Sequence, residues 1–192
     1  IYLFKTPHHP HLIKDASVPA FEVALATSAA PTYFAAARPG TLFGAQVVDG
    51  GVWANNPALV GLVEAAAFLD QAPADVDILS IGTTSAPFSI AEHASSGALS
   101  WNAGLIALMM NAQGVSHRAL ASLLAGGLHQ IDHVARPGDY SMDDARPKTI
   151  EKLVDLGRRE AQKRVNREAV TARFVNGVLA APFVPANSSG AE

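Results

Sequence analysis

The sequence predicts an α/β chain built on a mostly parallel sheet. Short apolar runs, at Ala45 to Val48, Val76 to Ile81 and Leu128 to Ala135, alternate with longer stretches of helical period. Two of these runs end on residues that stop a strand, Asp49-Gly50-Gly51 and Gly82-Thr83-Thr84. The 192 residues are 49% hydrophobic and 16% charged, the balance of a well-cored globular chain and most simply of one domain.

In order, Ile1 to Phe4 reads as a first strand. The sequence opens directly in that run, at Ile rather than Met, so residues upstream of it are expected. Thr6 to Ser17 follows as a loop with Pro7, Pro10 and three histidines. Pro19 suits the first turn of a helix that passes through Phe21, Val23 and Ala26 and stops by Pro31. A strand over Ala45 to Val48 ends at Asp49. Pro57 to Leu69 is a helix with Asn55 or Asn56 as its N-cap.

Val76 to Ile81 has the composition of a buried strand. A loop rich in Ser, Gly and Ala covers about 85–100, and a long helix covers about 101–124, stopped by Gly126-Gly127. Leu128 to Ala135 is the next strand. From Pro147 to about Gly177 a helical period runs through Ile150, Leu153, Val154 and Leu156, with a break expected near Gly157. Residues 1–180 are taken as one unit, and 181–192 as a flexible tail.

A net charge of -3 and a pI near 6.2 give no electrostatic reason to expect nucleic acid or an anionic membrane surface as partner. The basic residues Arg158, Arg159, Lys163, Arg164 and Arg167 are interspersed with Glu160 and Glu168 and read as a solvated helix face. With no cysteine, disulfides and thiolate metal sites are excluded, although the compartment is not fixed. No signal-peptide pattern opens the sequence, and the apolar run from Ala103 to Met110 is far short of a membrane span. The chain is read as soluble, with a cytoplasmic setting preferred and at most peripheral membrane contact.

The chemistry-bearing residues are few. Asp49 sits where an open α/β sheet places its ligands, beyond the carboxyl end of a strand. Asp-Gly is also a common turn pair, in which Gly51 would supply a positive φ. His8, His9 and His11 lie close enough in sequence for two of them to hold a metal, but no H-E-x-x-H pattern accompanies them. No serine lies in a G-x-S-x-G elbow; the nearest approach, Gly114-Val115-Ser116-His117-Arg118, lacks the second glycine and falls within a helical pattern. The residues alone leave Asp49 open between turn and catalytic group.

A26-T27-S28-A29-A30-P31-T32-Y33-F34, followed by D49-G50-G51 and N55-N56-P57-A58, resembles the second half of a patatin-like phospholipase domain. I78-L79-S80-I81-G82-T83 is similar to a later strand of that family, and M142-D143-D144-A145 with K152-L153-V154-D155-L156-G157 to its closing segment. The resemblance extends over roughly residues 1–165. It implies a three-layer sandwich around a mostly parallel sheet, incomplete in this chain, and a lipid acyl hydrolase with a Ser-Asp dyad and no cofactor or metal.

In that scheme Asp49 is the general base and Gly50 and Gly51 shape its turn, while the nucleophilic serine and the glycine-rich oxyanion loop lie outside the sequence. Substrates would be phospholipids or neutral acyl esters. The partner would be the amino-terminal part of the domain, or a second copy. Two departures stand out: Leu25 occupies a position where the family commonly has arginine, and H129-Q130-I131-D132 stands where it often has another. Ser28 and Thr32 are expected to cap and pack a helix near the site, and Leu105 to Met110 either lines an acyl pocket or fills core. A catalytically inactive relic or lipid-binding module is the alternative, and metal-dependent hydrolysis through the histidines a third.

Overall fold

The computed structural model describes residues 1–42, 44–86, 98–136, 138–141, 143–177, 181–182 and 184–185. Most of the Ser/Gly/Ala loop, Met142 and most of the expected tail lie outside the described residues. The helices are α1 (Ala20–Thr27), α2 (Gly51–Ala54), α3 (Ala58–Phe68), α4 (Ala98–Leu124), α5 (Pro147–Gln162) and α6 (Arg164–Val170). The strands are β1 (Asp77–Ile81) and β2 (Gly127–Ile131).

β1 and β2 pair in parallel, with Asp77 opposite Gly127 and Ile81 opposite Ile131. Parallel neighbours need a long crossover, and α4 supplies it. The ladder continues past Ile81 through Gly82 N–H to Ile131 C=O (2.8 Å) and a further parallel bridge between Ser85 and Val134. Gly82 is required by space: a Cβ there would lie 2.3 Å from the Asp132 carboxylate, which also accepts from the Ser85 hydroxyl at 2.9 Å. α4 packs on α2, α3 and β2, while α6 packs on β2.

The core is thin. The buried apolar residues among those described are Ala26, Ala29, Leu62, Ala121, Ala135 and Leu156, four of them alanine, and no large side chain is fully buried. Parallel sheets are ordinarily covered on both faces. Here Ile81 at the end of β1 is 69% exposed and Leu123 near the end of α4 is 81% exposed.

Several expectations are corrected. Ile1 to Phe4 is not a strand: among the described residues no neighbouring strand meets it, and Asp15 holds it instead. Asp15 accepts from the Tyr2 hydroxyl and from Lys5 N–H (2.9 Å), and the Tyr2 and Phe4 rings meet edge to face at 5.0 Å. Ala45 to Val48 is likewise no strand of the sheet. Its only pairing among the described residues is one antiparallel bridge, Val47 with Ala37, closed by two 2.9 Å hydrogen bonds.

The carboxy-terminal helix breaks at Lys163 rather than near Gly157. Lys163 turns to ψ 131, and the chain is pinned there by Lys163 Nζ to Glu160 (2.6 Å) and by the Asn166 amide donating to Glu160 C=O (2.7 Å). Gly157 stays helical in open space. α5 begins at Pro147, a ring suited to a first helical position, and Asp144 caps it from outside. Asp144 accepts from Arg146 N–H (3.1 Å) and the Thr149 hydroxyl (2.9 Å). The Arg146 guanidinium, before these two bonds, holds the Asp144 carboxyl well below the usual carboxylate range.

Candidate active site at the Asp49 turn

Asp49 leaves the Ala37–Val47 bridge and enters α2 within two residues. Its backbone N–H donates to Ala29 C=O at 3.0 Å, which ties the turn to the loop after α1. One carboxylate oxygen, Oδ1, accepts from Gly51 N–H at 2.7 Å. Asp49 C=O accepts from Val52 N–H (3.2 Å), and Gly50 C=O from Trp53 N–H (2.9 Å) and Ala54 N–H (2.8 Å), so the D-G-G segment winds directly into a helical turn. The second oxygen, Oδ2, has no hydrogen-bond or ion-pair partner among the described residues. Asp49 is half-buried, and Val48 before it is exposed rather than buried, because no sheet strand flanks it there.

The two glycines serve different ends. Neither has a positive φ; Gly50 sits at φ −62 and ψ −17, which any residue adopts. Gly51 is constrained by space. A Cβ there would lie 3.2 Å from Asp49 Oδ1, 3.4 Å from Asn55 Oδ1 and 3.6 Å from Met110 Cε. Nothing lies within 4 Å of a Cβ at Gly50, so that flank of the turn is open. The alternative turn, with a positive φ at Gly51, is not the one formed; the segment is a helical turn that needs a bare position beside the carboxylate.

Asn56 locks the far side. Its Oδ1 accepts from Ala58 N–H (3.0 Å), with Pro57 in the cap position between them, and its Nδ2 donates to Ser80 Oγ (3.2 Å). A side chain thus caps α3 and joins the helix to the carboxyl end of β1. Gly114 of α4 approaches Asn56, and Met110 one turn earlier reaches the Gly51 flank. Trp53 meets the His117 ring at 6.1 Å between centroids. The N-N-P run announced a cap; its bridge to Ser80, and the placing of Met110 and His117, had no local signal.

The loop before the site is strained at one residue. Thr32 has φ 75, an outlier for a β-branched side chain, and such outliers gather at functional sites. Ser28 ends α1 by donating from Oγ to Ala24 C=O at 2.7 Å. Thr32 has no such capping bond among the described residues.

The remaining histidines are dispersed. His8 and His9 pack edge-on against Phe68, at 6.1 and 5.5 Å, and His8 Nδ1 lies 2.9 Å from Thr6 Oγ1. His9 and His11 also meet edge to face. No group of three metal-ligating side chains occurs among the described residues. His129 Nε2 faces Asn166 Oδ1, and His133 Nδ1 faces Glu160 Oε1, each at 3.2 Å. These contacts attach α6 to β2 and α5 to the segment that follows β2. No helix among the described residues is long and apolar enough to cross a membrane.

Comparison with known proteins finds bacterial relatives. A protein of Vibrio cholerae serotype O1 (strain ATCC 39315 / El Tor Inaba N16961) named cGAMP-activated phospholipase is 30% identical over 193 residues, 89% of this chain and 54% of that protein. The chain is homologous to bacterial phospholipases. A protein of the same name from Pseudomonas aeruginosa (strain BWHPSA011 / Pa011) is 40% identical over 145 residues, 73% of this chain and 42% of that protein. A third, from Escherichia coli (strain TW11681), is 43% identical over 91 residues, 45% of this chain and 25% of that protein. The chain therefore spans about half, or less, of the length of the curated relatives it matches. No protein-family model matches the sequence, and no solved structure matches it.

Proposed function

We propose that residues 1–180 are the carboxy-terminal portion of a patatin-like phospholipase domain and contribute Asp49 as the base of a Ser-Asp dyad. The observation that carries this reading is the state of the Asp49 carboxylate. Oδ1 is fixed by Gly51 N–H at 2.7 Å, Oδ2 has no described partner, and the Gly50 flank is open. A carboxylate held by one oxygen and free at the other can take a proton from a hydroxyl arriving on the open side.

The serine stands on a G-x-S-x-G elbow, which none of the 192 residues provides. Its Oγ attacks the ester carbonyl of a phospholipid or neutral acyl ester while Asp49 accepts the hydroxyl proton. Asp49 returns that proton to the departing alcohol, leaving an acyl-enzyme. Water then attacks the acyl carbonyl, Asp49 takes its proton and hands it to Ser Oγ, and the free carboxylic acid leaves. A carboxylate is intrinsically a weak base toward an alcohol, so positioning and oxyanion donors must supply much of the rate.

The thin core and the exposed apolar residues of α1, α4 and β1 support a complementary segment that completes the sandwich. That segment is the rest of the domain or, failing it, a second copy of this chain. The relatives are named as cGAMP-activated, which supports a complete protein that is regulated by that ligand.

The rival reading is a catalytically inactive patatin-like relic or lipid-binding module. Labelling the complete protein with a fluorophosphonate probe, with and without cGAMP, separates the two. The hydrolase acquires label on one serine outside these 192 residues, whereas the binding module acquires none under either condition.

A further inference from the structure

The basic residues of α5 and α6 divide into two kinds. Arg158 pairs with Asp155 (3.2 Å), Lys163 with Glu160 (2.6 Å) and Arg164 with Glu168 (2.7 Å). Lys152 and Arg159 have no hydrogen bond or ion pair among the described residues. Both line one hollow of about 370 Å³, together with Asp139, Tyr140 and Asp155. That size falls within the range of roughly 300–1,000 Å³ typical of small-molecule sites.

The hollow lies between two elements. Lys152, Asp155 and Arg159 stand at i, i+3 and i+7 and so share one face of α5, with the two cations about 10 Å apart along its axis. Asp155, between them, is already engaged by Arg158. The opposite wall is a turn closed by Asp139 N–H to Arg136 C=O (3.1 Å) and by Arg136 N–H to Asp139 Oδ2 (3.0 Å), with Gly138 at φ 86. Asp139 Oδ1 has no partner among the described residues, and the half-buried Tyr140 ring beside it meets no other ring there. Covering these charged groups with an apolar segment would be costly, so the hollow is not surface for the segment that completes the core.

We infer that this hollow binds a nucleotide, with Lys152 and Arg159 on phosphodiester oxygens, Tyr140 stacked on a base and Asp139 Oδ1 accepting from a base N–H. Two free cations at the ends of one slot match an extended anion. An unstacked aromatic ring and an open carboxylate oxygen match a flat ring bearing N–H donors, which inorganic phosphate and lipid phosphodiesters lack. Seated between α5 and the turn at 136–139, the ligand bridges two elements and stabilises their contact by mass action. The inference rests on the ligand-regulated reading above for the identity of the nucleotide, cGAMP, whose two phosphodiesters and two purines supply both chemistries, and it adds the place where that ligand binds.

The test titrates cGAMP into the complete protein by calorimetry and follows phospholipid hydrolysis with and without it. Lys152→Gln and Arg159→Gln each weaken binding about tenfold or more, the effect of losing one charge-assisted hydrogen bond. Tyr140→Ala weakens it by a similar factor through loss of the stack, and Tyr140→Phe restores it. Hydrolysis measured without cGAMP is unchanged in all four variants, since none of the three residues lies in the Asp49 turn. Circular dichroism checks the fold, and Lys152 and Arg159 hold no other described side chain in place. Binding of cGAMP that survives Lys152→Gln, Arg159→Gln and Tyr140→Ala overturns the inference and leaves the regulated reading standing. Equal competition by inorganic phosphate overturns the nucleotide assignment. Should cGAMP not bind, the linear dinucleotide pApG is titrated instead. Binding of pApG that the variants lose keeps the hollow and removes cGAMP as its ligand; binding that they keep, or none, overturns both.

Discussion

Asp49 is held by Ala29: its N–H meets the Ala29 carbonyl at 3.0 Å, which ties the D-G-G turn to the A-T-S-A-A-P-T-Y-F segment. The link unites the two segments that carry the family resemblance, and among the described residues the Asp49 carboxylate is oriented by Gly51 N–H. Its consequences can be measured one residue at a time in the complete protein.

Gly51→Ala should disturb the carboxylate, because the added Cβ meets Asp49 Oδ1 at 3.2 Å and Asn55 Oδ1 at 3.4 Å. Ester hydrolysis should fall by up to about 10-fold, because the carboxylate must give by a few tenths of an ångström, less than the ~1 Å misplacement that costs about 100-fold. Gly50→Ala meets nothing within 4 Å at an ordinary helical φ, so chemical denaturation should show unchanged or raised stability, by about 0.4–1 kcal/mol. Equal stability losses for the two variants would contradict this division.

Asn56→Ala removes both the cap on Ala58 N–H and the bond to Ser80 Oγ. Urea unfolding should register a loss of about 1–2 kcal/mol, typical of a deleted cap. Ser80→Ala should cost less, since the cap survives. A double-mutant cycle gives the coupling, and zero coupling would mean that the bridge carries no load.

Glu160 should confer acid sensitivity on the attachment of α5 and α6. The Lys163 ammonium first, and then the His133 ring, hold its carboxyl below the ordinary glutamate range against the opposing effect of burial. A folded-state pKa that is lowered contributes stability above the unfolded value, about 4.3, and loses it as pH falls through the folded value. Hydrogen exchange in α6 should therefore accelerate below about pH 4, and Glu160→Gln should abolish that dependence.

Tyr2 gives the opposite sign. Its hydroxyl donates to Asp15, and that hydrogen bond, with burial and the Asp15 charge, pushes its pKa up to about 12. The raised value contributes stability that is whole below the unfolded pKa, about 10, and is lost as pH climbs through about 12. Tyrosinate absorbance should show a late-titrating component that Tyr2→Phe removes, and Asp15→Asn should return it toward the ordinary range.

Helices were the most legible part of the fold. Their apolar period is local, and Pro19, Pro57 and Pro147 mark three starts within a residue of those observed. β1 and β2 could also be read, since Val76 to Ile81 is an apolar run closed by Gly82 and Leu128 onward alternates after Gly126-Gly127. Ile1 to Phe4 and Ala45 to Val48 have the same composition but form no sheet strand, because strand formation depends on a neighbour that composition does not reveal. The break at Lys163 was invisible because an ion pair and an Asn166 amide fix it, whereas Gly157 only lowers propensity. At the site, the D-G-G motif pointed to Asp49, but the packing of Met110 and the Asn56–Ser80 bond join residues far apart in sequence.

The central claim is that Asp49 is the base of a serine acyl hydrolase. Steady-state hydrolysis of a phospholipid by the complete protein and by its Asp49→Asn variant tests it most directly. The account predicts a fall of about 10²–10⁴-fold in kcat with the circular dichroism spectrum unchanged, the range associated with loss of a general base. Full activity in a folded Asp49→Asn protein would contradict it.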